Sequence, residues 1–170
     1  MNNLIIKKAS LKDWKNYKEI RLDALEKDPE SFGSSYEEEK KRSEKIWKNK
    51  LSEKNRIALI AVKERRVVGI LIIMFESGIK LAHIANIFSV YVKKEYRGKG
   101  ISTELMREAL KLIESRKGTR KINLHVTTNQ LPAINLYKKF GFKIVGELKK
   151  ELKIKNDYYN SYVMELILQK

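Results

Sequence analysis

The pattern of apolar and polar positions along the chain predicts a mixed succession of helices and strands. Apolar residues at helical spacing mark the helices, whereas β-branched apolar runs mark the strands. In chain order, the pattern predicts a strand at residues 4–6, a helix at 11–27, a loop at 31–36, a helix at 37–54, strands at 57–62, 67–75 and 84–92, a helix at 101–113, a strand at 122–126, a short helix between Pro132 and Gly141, and two strands between residues 142 and 168. We therefore expect an α/β chain of about seven strands and about four helices.

Two of these segments carry the strongest signals. The run at residues 67–75 is apolar almost throughout, which is typical of a strand that is covered on both faces. In the helix at 101–113, one face is apolar and the other charged, and Gly118 is expected to cap its C-terminus. No repeat or change of composition divides the chain, so we expect a single domain over residues 1–170.

Composition excludes several classes of protein. Hydrophobic residues make up 42% of the 170, too many for a disordered chain. Cysteine is absent, which excludes disulfides, thiolate metal sites and a cysteine nucleophile. The histidines are His83 and His125 alone, and two are too few for a zinc site held by histidine, so no metal is predicted.

The formal net charge of +16 favours contact with polyanions such as nucleic acid. However, arginine provides only nine of the 37 basic residues, and lysine is spread along the whole chain. A solvated, lysine-rich surface is therefore the preferred interpretation, and a nucleic-acid partner is not expected. The charged N-terminus does not resemble a signal peptide, and the longest apolar run is too short for a bilayer. We expect a cytoplasmic protein without a membrane partner.

The chemistry is concentrated where the strand at 84–92 leads through a glycine-rich turn into the helix at 101–113. Such a turn leaves backbone N–H groups free at a helix N-terminus, where they can bind phosphate oxygens. Gly98 and Gly100 allow a close approach to the backbone, and Arg97 and Lys99 add positive charge. No Walker A string is present, and Thr103 occupies the third glycine position of a dinucleotide fingerprint. The alternative is that the glycines only shape a tight turn.

Two motifs resemble those of the GCN5-related N-acetyltransferase (GNAT) superfamily. Residues 90–92 followed by 97–102 are similar to its acetyl-CoA motif, Gln/Arg-x-x-Gly-x-Gly/Ala after a strand. Residues 133–142 are similar to its Ala-x-x-x-Tyr-x-x-x-Gly-Phe helix and turn. Two positions depart from the pattern, since Ser102 replaces a glycine or alanine and Gln130 replaces an asparagine, with Asn129 one residue earlier.

The resemblance implies a fold and a cofactor site. The fold would be a mostly antiparallel sheet in which the strands at 84–92 and 122–126 form a central, splayed parallel pair that admits the pantetheine arm of acetyl-CoA. The Val92 N–H would polarise the thioester carbonyl. The residues that would bind acetyl-CoA are Val90, Tyr91, Val92, Arg97, Gly98, Lys99, Gly100, Ile101, Ser102, Thr103, Asn129, Gln130 and Asn135.

The resemblance also implies catalytic residues. Tyr137 would act as the acid for the departing thiolate, whereas its spacing alone, without the two motifs, would favour a core aromatic on an amphipathic helix. Glu76, His83 or an ordered water could be the base that takes the proton of the amine. His125 is interpreted as a packing residue or as a polar side chain with a partner in the fold. The acidic end of residues 28–39 could attract a cationic amine, or it could be an ordinary charged helix face.

We therefore expect an acetyl-CoA-dependent N-acetyltransferase that acts on a primary amine of a small molecule, peptide or protein by direct attack in a ternary complex. Two alternatives stay open at this point. One is a basic module that binds nucleic acid or ribosomes, which would show steeply salt-dependent binding. The other is a GNAT-fold protein that binds acyl-CoA without turnover. Edge strands near the C-terminus are compatible with a homodimer.

Overall fold

A computed structural model describes residues 4–169, which form one seven-stranded sheet with helices on both faces. The strands are β1 (Leu4–Lys8), β2 (Arg56–Lys63), β3 (Arg66–Phe75), β4 (Ile84–Val92), β5 (Lys121–Thr127), β6 (Lys143–Ile154) and β7 (Asp157–Ile167). The helices are α1 (Trp14–Lys27), α2 (Tyr36–Lys40), α3 (Glu44–Ser52), α4 (Ile101–Ser115) and α5 (Leu131–Lys139). Short 3-10 turns precede α1, follow α1 and follow β4.

The sheet has the order β1-β2-β3-β4-β5-β7-β6, and every neighbouring pair is antiparallel except β4 and β5. These two parallel strands pair only between residues 84–87 and residues 121–124. Beyond that point β4 continues to Val92 and β5 to Thr127 without pairing with each other, so the two strands separate. The splayed central pair predicted from the sequence is confirmed.

Strand β3 is buried on both faces because the helices form two separate layers. Leu71 and Ile73 face one core, which α4 fills with residues such as Leu105. Ile70 and Ile72 face the other core, to which α1 and α3 contribute. The alternation of β3 side chains thus explains why its sequence is apolar without a polar face.

The second predicted helix, at residues 37–54, is wrong as a single element. The structure has two helices there, α2 and α3, and an extended Ser43 begins the second one. The side chain of Glu39 is turned inward to an ion pair, which a surface helix would not require. Helix α4 also ends at Ser115 rather than being capped by Gly118.

A bulge interrupts β4 just after the strands separate. Ile70 pairs with Tyr91 and Ile72 with Phe88, so one residue of β3 faces two residues of β4. Within the bulge Ser89 has a φ of 57°, a conformation that costs energy for a residue with a side chain. The Arg21 guanidinium donates a hydrogen bond of 2.8 Å to the Ser89 hydroxyl and so ties the bulge to α1.

Candidate active site

Six consecutive backbone amides are free at the start of α4. Among the described residues, the N–H groups of residues 98–103 donate no hydrogen bond to protein. Gly98 and Gly100 have φ values of 73° and 77°, which glycine adopts without strain. These amides and the positive end of the α4 dipole together provide a site for phosphate oxygens.

The edge of β4 that faces the gap is free as well. The Lys93 N–H donates to the Val68 carbonyl at 2.9 Å, so Lys93 faces β3. Because successive residues of a strand alternate, Val92 directs its N–H and carbonyl toward the gap. The Arg97 Nε–H donates a hydrogen bond of 2.9 Å to the Val92 carbonyl, which leaves the Val92 N–H as the unpaired donor on the open edge.

Next to these groups lies a cleft with two lobes. The larger lobe, about 400 Å³, adjoins the glycine turn, and the smaller lobe, about 230 Å³, adjoins β6 and β7. Five residues line both lobes and mark their junction: Glu30, Ser31, Val90, Gln130 and Tyr137. The sequence-predicted residues that line the larger lobe are Val90, Tyr91, Val92, Arg97, Gly98, Ser102, Asn129, Gln130 and Tyr137.

Tyr137 lies at the junction of the lobes on α5. Its side chain is only 6% exposed, and its ring packs edge-to-face against Phe142 with centroids 6.2 Å apart. The hydroxyl makes no hydrogen bond to any residue between 4 and 169. Burial raises the pKa of Tyr137 well above its ordinary value of 10, so the group keeps its proton at neutral pH.

The two basic side chains of the turn are held by the protein itself. Arg97 donates to Asp28 at 2.5 Å, and its guanidinium lies 5.4 Å from the centre of the Tyr91 ring. Lys99 donates to the Glu95 carbonyl at 2.9 Å. Arg97 thus borders the larger lobe with its charge already paired, and Lys99 does not line either lobe.

The polar residues around the start of α5 differ in their positions. Gln130 donates from Nε2 to the Ser31 hydroxyl, and this hydrogen bond closes the junction between the lobes. Asn129 is exposed and lines the larger lobe. Asn135 is exposed and Thr103 is half-buried, and neither of them lines a lobe.

Glu76 and His83, the side chains named as base candidates, are not brought to the cleft. Glu76 follows β3 and accepts a hydrogen bond of 2.7 Å from Asn86, and His83 is exposed just before β4. Neither residue lines either lobe, because both lie beside the first part of β4, whereas residues 87–92 line the cleft. At about 3.3 Å per residue, the strand separates His83 from Val92 by about 30 Å.

Other side chains line the smaller lobe instead. Glu30 comes from the turn after α1, His125 from β5 and Glu151 from β6. His125, interpreted as a packing residue, is exposed to the lobe. Sequence reasoning noted the acidic stretch that contains Glu30, but it gave no signal for Glu151, because that residue reaches the lobe through the distant pairing of β6 with β7.

A buried ion pair supports the wall of this lobe. The Arg21 Nη2 lies 3.2 Å from Glu39 Oε1, and Arg42 and Lys50 lie 3.0 and 3.5 Å from the same oxygen. Burial alone would raise the pKa of Glu39, but the hydrogen bond and charge of Arg21, followed by the charges of Lys50 and Arg42, outweigh it and lower the pKa. The same Arg21 holds the Ser89 bulge, so the network fixes that part of β4.

The described residues offer neither a metal site nor a membrane span. No group of three or more His, Asp or Glu side chains between residues 4 and 169 could hold a metal ion. In the same part of the chain, no helix has the length and apolar character needed to cross a membrane.

Comparison with known proteins assigns the family. The Acetyltransferase (GNAT) family model matches residues 17–142, so the chain belongs to this family. It is 27% identical over 165 residues to the L-amino acid N-acetyltransferase AaaT of Escherichia coli K12, which covers 96% of this chain and 98% of that protein. It is also 33% identical over 97 residues to an N-alpha-acetyltransferase of Saccharolobus solfataricus, covering 53% of this chain and 58% of that protein.

Solved structures share the fold. An acetyltransferase of the GNAT family from Streptococcus pneumoniae superposes with a TM-score of 0.82 at 24% identity, covering 98% of this chain and 100% of that one. The yncA protein from Salmonella typhimurium, solved with acetyl-CoA, has a TM-score of 0.82 at 16% identity, covering 99% of this chain and 95% of that one. The predicted family is therefore confirmed, and the chain is an N-acetyltransferase that uses acetyl-CoA as its co-substrate.

Proposed function

We propose that the chain acetylates a primary amine by direct attack in a ternary complex, with acetyl-CoA in the larger lobe and the amine in the smaller lobe. The observation that carries this proposal is the junction of the two lobes at Tyr137, a buried tyrosine whose hydroxyl has no partner in the described chain. An acetyl group and an amine from opposite lobes would meet there.

The binding of acetyl-CoA divides between two elements. The free amides of residues 98–103, together with the Ser102 hydroxyl, bind the diphosphate. The open edge of β4 at Val90 and Val92 pairs with the pantetheine arm, and the exposed Asn129 amide adds a side-chain contact. Gln130 is already bonded to Ser31, which favours Asn129 over Gln130 for this contact. When bound, acetyl-CoA supplies an acetyl thioester.

The residues at the junction stabilise or neutralise the charges that develop during acetyl transfer. The Val92 N–H stabilises the negative charge on the carbonyl oxygen while the amine attacks. A new C–N bond forms, the C–S bond breaks, and the thiolate takes a proton from the Tyr137 hydroxyl, which is then reprotonated from solvent. Glu30, which lines both lobes, draws the proton that the attacking amine loses.

Initial-rate kinetics test the ternary complex. The release of CoA is followed while acetyl-CoA and a reactive amine are varied in turn. Double-reciprocal lines that intersect are expected, because both substrates must occupy the cleft before transfer. Parallel lines, which indicate an acetylated enzyme intermediate, would contradict direct attack.

The setting of the reaction is a further part of this proposal. We place it in the cytoplasm, where acetyl-CoA is available. A homodimer stays a prediction, supported by the exposed Ile144 and Val145 on the outer strand β6. Sedimentation velocity at micromolar concentration would give twice the chain mass if the dimer forms, and the chain mass itself if it does not.

A further inference from the structure

The charge of the smaller lobe is opposite to the charge of the chain. The chain carries 37 basic and 21 acidic residues, yet no lysine or arginine of the described residues lines this lobe. Its carboxylates are Glu30 at the junction and Glu151 on the wall formed by β6. Because a basic surface surrounds it, this lobe is the part of the cleft that attracts a cation.

Neither carboxylate is paired within the part of the chain described. Glu30 and Glu151 take part in no hydrogen bond or ion pair among residues 4–169. By contrast, Glu147 on the same strand lies 2.7 Å from the Lys149 ammonium. Glu151 lies in an irregular segment of β6, where the register with β7 shifts between Leu148 and Leu152. The irregular segment places Glu151 beside the lobe rather than in the regular ladder.

Two polar atoms without a hydrogen-bond partner point independently to a ligand in this lobe. The Thr127 Oγ1 is buried without a hydrogen-bond partner among the described residues, and Thr127 is one of the residues that line the smaller lobe. The Tyr137 hydroxyl lacks a partner there as well, in a side chain that is more than nine-tenths buried. Since buried polar groups are nearly always hydrogen-bonded, Thr127 is a group that a bound polar molecule would satisfy, and the Tyr137 hydroxyl is a second polar group available to it at the junction.

Part of the lobe wall is apolar. Ile87, Phe88, Val126 and Leu152 line the lobe in addition to the polar residues. A molecule with a hydrocarbon chain and two positive charges would contact both these apolar side chains and the two carboxylates. An aliphatic diamine has this form, with one ammonium group for each carboxylate.

We propose that the acceptor is an aliphatic diamine or polyamine that carries no carboxylate. Glu30 holds the amine that is acetylated, and Glu151 holds the second ammonium group, which stays charged. This inference rests on the proposed function, since it assigns the smaller lobe to the acceptor. A free amino acid is disfavoured, because its carboxylate would approach Glu30 without a lysine or arginine from the described residues in the lobe to balance it.

Three amines of equal chain length test the proposal. Pentane-1,5-diamine and L-lysine differ only by the carboxylate, and pentylamine lacks the second ammonium group. We expect kcat/KM for the diamine to exceed that for L-lysine by about a hundredfold and that for pentylamine by about tenfold, because each comparison adds or removes the interaction of one charged group with the lobe. Equal values for the diamine and L-lysine would overturn the proposal while leaving acetyl transfer established.

Variants of Glu151 then test whether this residue causes the preference for the diamine. Glu151→Gln is expected to reduce the preference for the diamine over pentylamine about tenfold, and Glu151→Lys is expected to invert the preference between the diamine and L-lysine. Glu53→Gln, which removes the same charge at the end of α3 away from either lobe, should leave both ratios unchanged. Unchanged ratios in both Glu151 variants would refute the assignment. Failure of all three amines to release CoA would count against the proposed function as well.

Discussion

Replacing Tyr137 with phenylalanine tests whether its hydroxyl acts in catalysis or whether the side chain only packs in the core. The substitution removes one oxygen and leaves the ring, so the packing against Phe142 is retained. Because the hydroxyl makes no hydrogen bond to the described residues, its removal breaks no contact of this kind within the folded chain. Its loss should therefore affect the reaction and spare the fold.

The magnitudes follow from this geometry. Acid–base catalysis by one positioned side chain contributes about 10²–10⁴-fold, so we expect kcat to fall by about a hundredfold or more. A polar group without a protein partner on a largely buried side chain gains little from folding, so the free energy of unfolding should stay the same or rise by up to about 1 kcal/mol. That rise corresponds to an increase of about 2–4 °C in Tm for a chain of this size.

The assay combines CoA release with thermal unfolding of the same preparations. In the wild type, kcat should show no loss attributable to Tyr137 up to about pH 10, because burial raises the pKa of that hydroxyl. The KM for acetyl-CoA should change less than threefold. If Tyr137→Phe keeps kcat within twofold and loses stability instead, Tyr137 is a packing residue, and the assignment of the acid is wrong.

Two further substitutions test the scaffold around the site. Glu39→Gln leaves Arg21 buried without a counter-ion and should lower the free energy of unfolding by about 3–5 kcal/mol at pH 7 in urea titrations. The folded state lowers the pKa of Glu39 below its ordinary value of 4.5, so the wild type should lose the stability that the Glu39 carboxylate contributes as the pH falls below 4.5. The variant should show no such loss, and parallel profiles of unfolding free energy against pH would contradict this. Gly69→Ala places a Cβ 3.1 Å from the Tyr91 carbonyl and 3.2 Å from Leu105, so a loss of about 1–3 kcal/mol is expected, and an unchanged urea midpoint would show that β3 can shift.

The sequence predicted the turn between β4 and α4 because its signals are local. Glycines at residues 98 and 100, followed by an amphipathic helix, determine a turn and a helix start within a few residues of each other. The splayed pair β4 and β5 was implied by family resemblance, and the register ending at residues 87 and 124 confirms it. These features need no knowledge of distant contacts.

The features that were missed depend on contacts between distant residues. The break between α2 and α3 follows an inward Glu39, whose partner Arg21 lies 18 residues earlier in the chain. Glu151 joins the smaller lobe only because β6 pairs with β7 and β7 with β5. Periodicity also cannot tell which end of β4 borders a cleft, and for that reason His83 was a candidate although it lies at the far end.

Hydrogen–deuterium exchange tests most directly whether the free amides of residues 98–103 and the open edge of β4 hold acetyl-CoA. Exchange is measured with and without saturating acetyl-CoA, and peptides from the loop at residues 77–83 serve as the internal control. We predict that exchange slows at residues 90–92 and 98–103 and stays unchanged in the control loop, because amides without a protein partner acquire one from the bound molecule. Unchanged exchange at residues 98–103 under conditions where acetyl-CoA is bound would contradict the account.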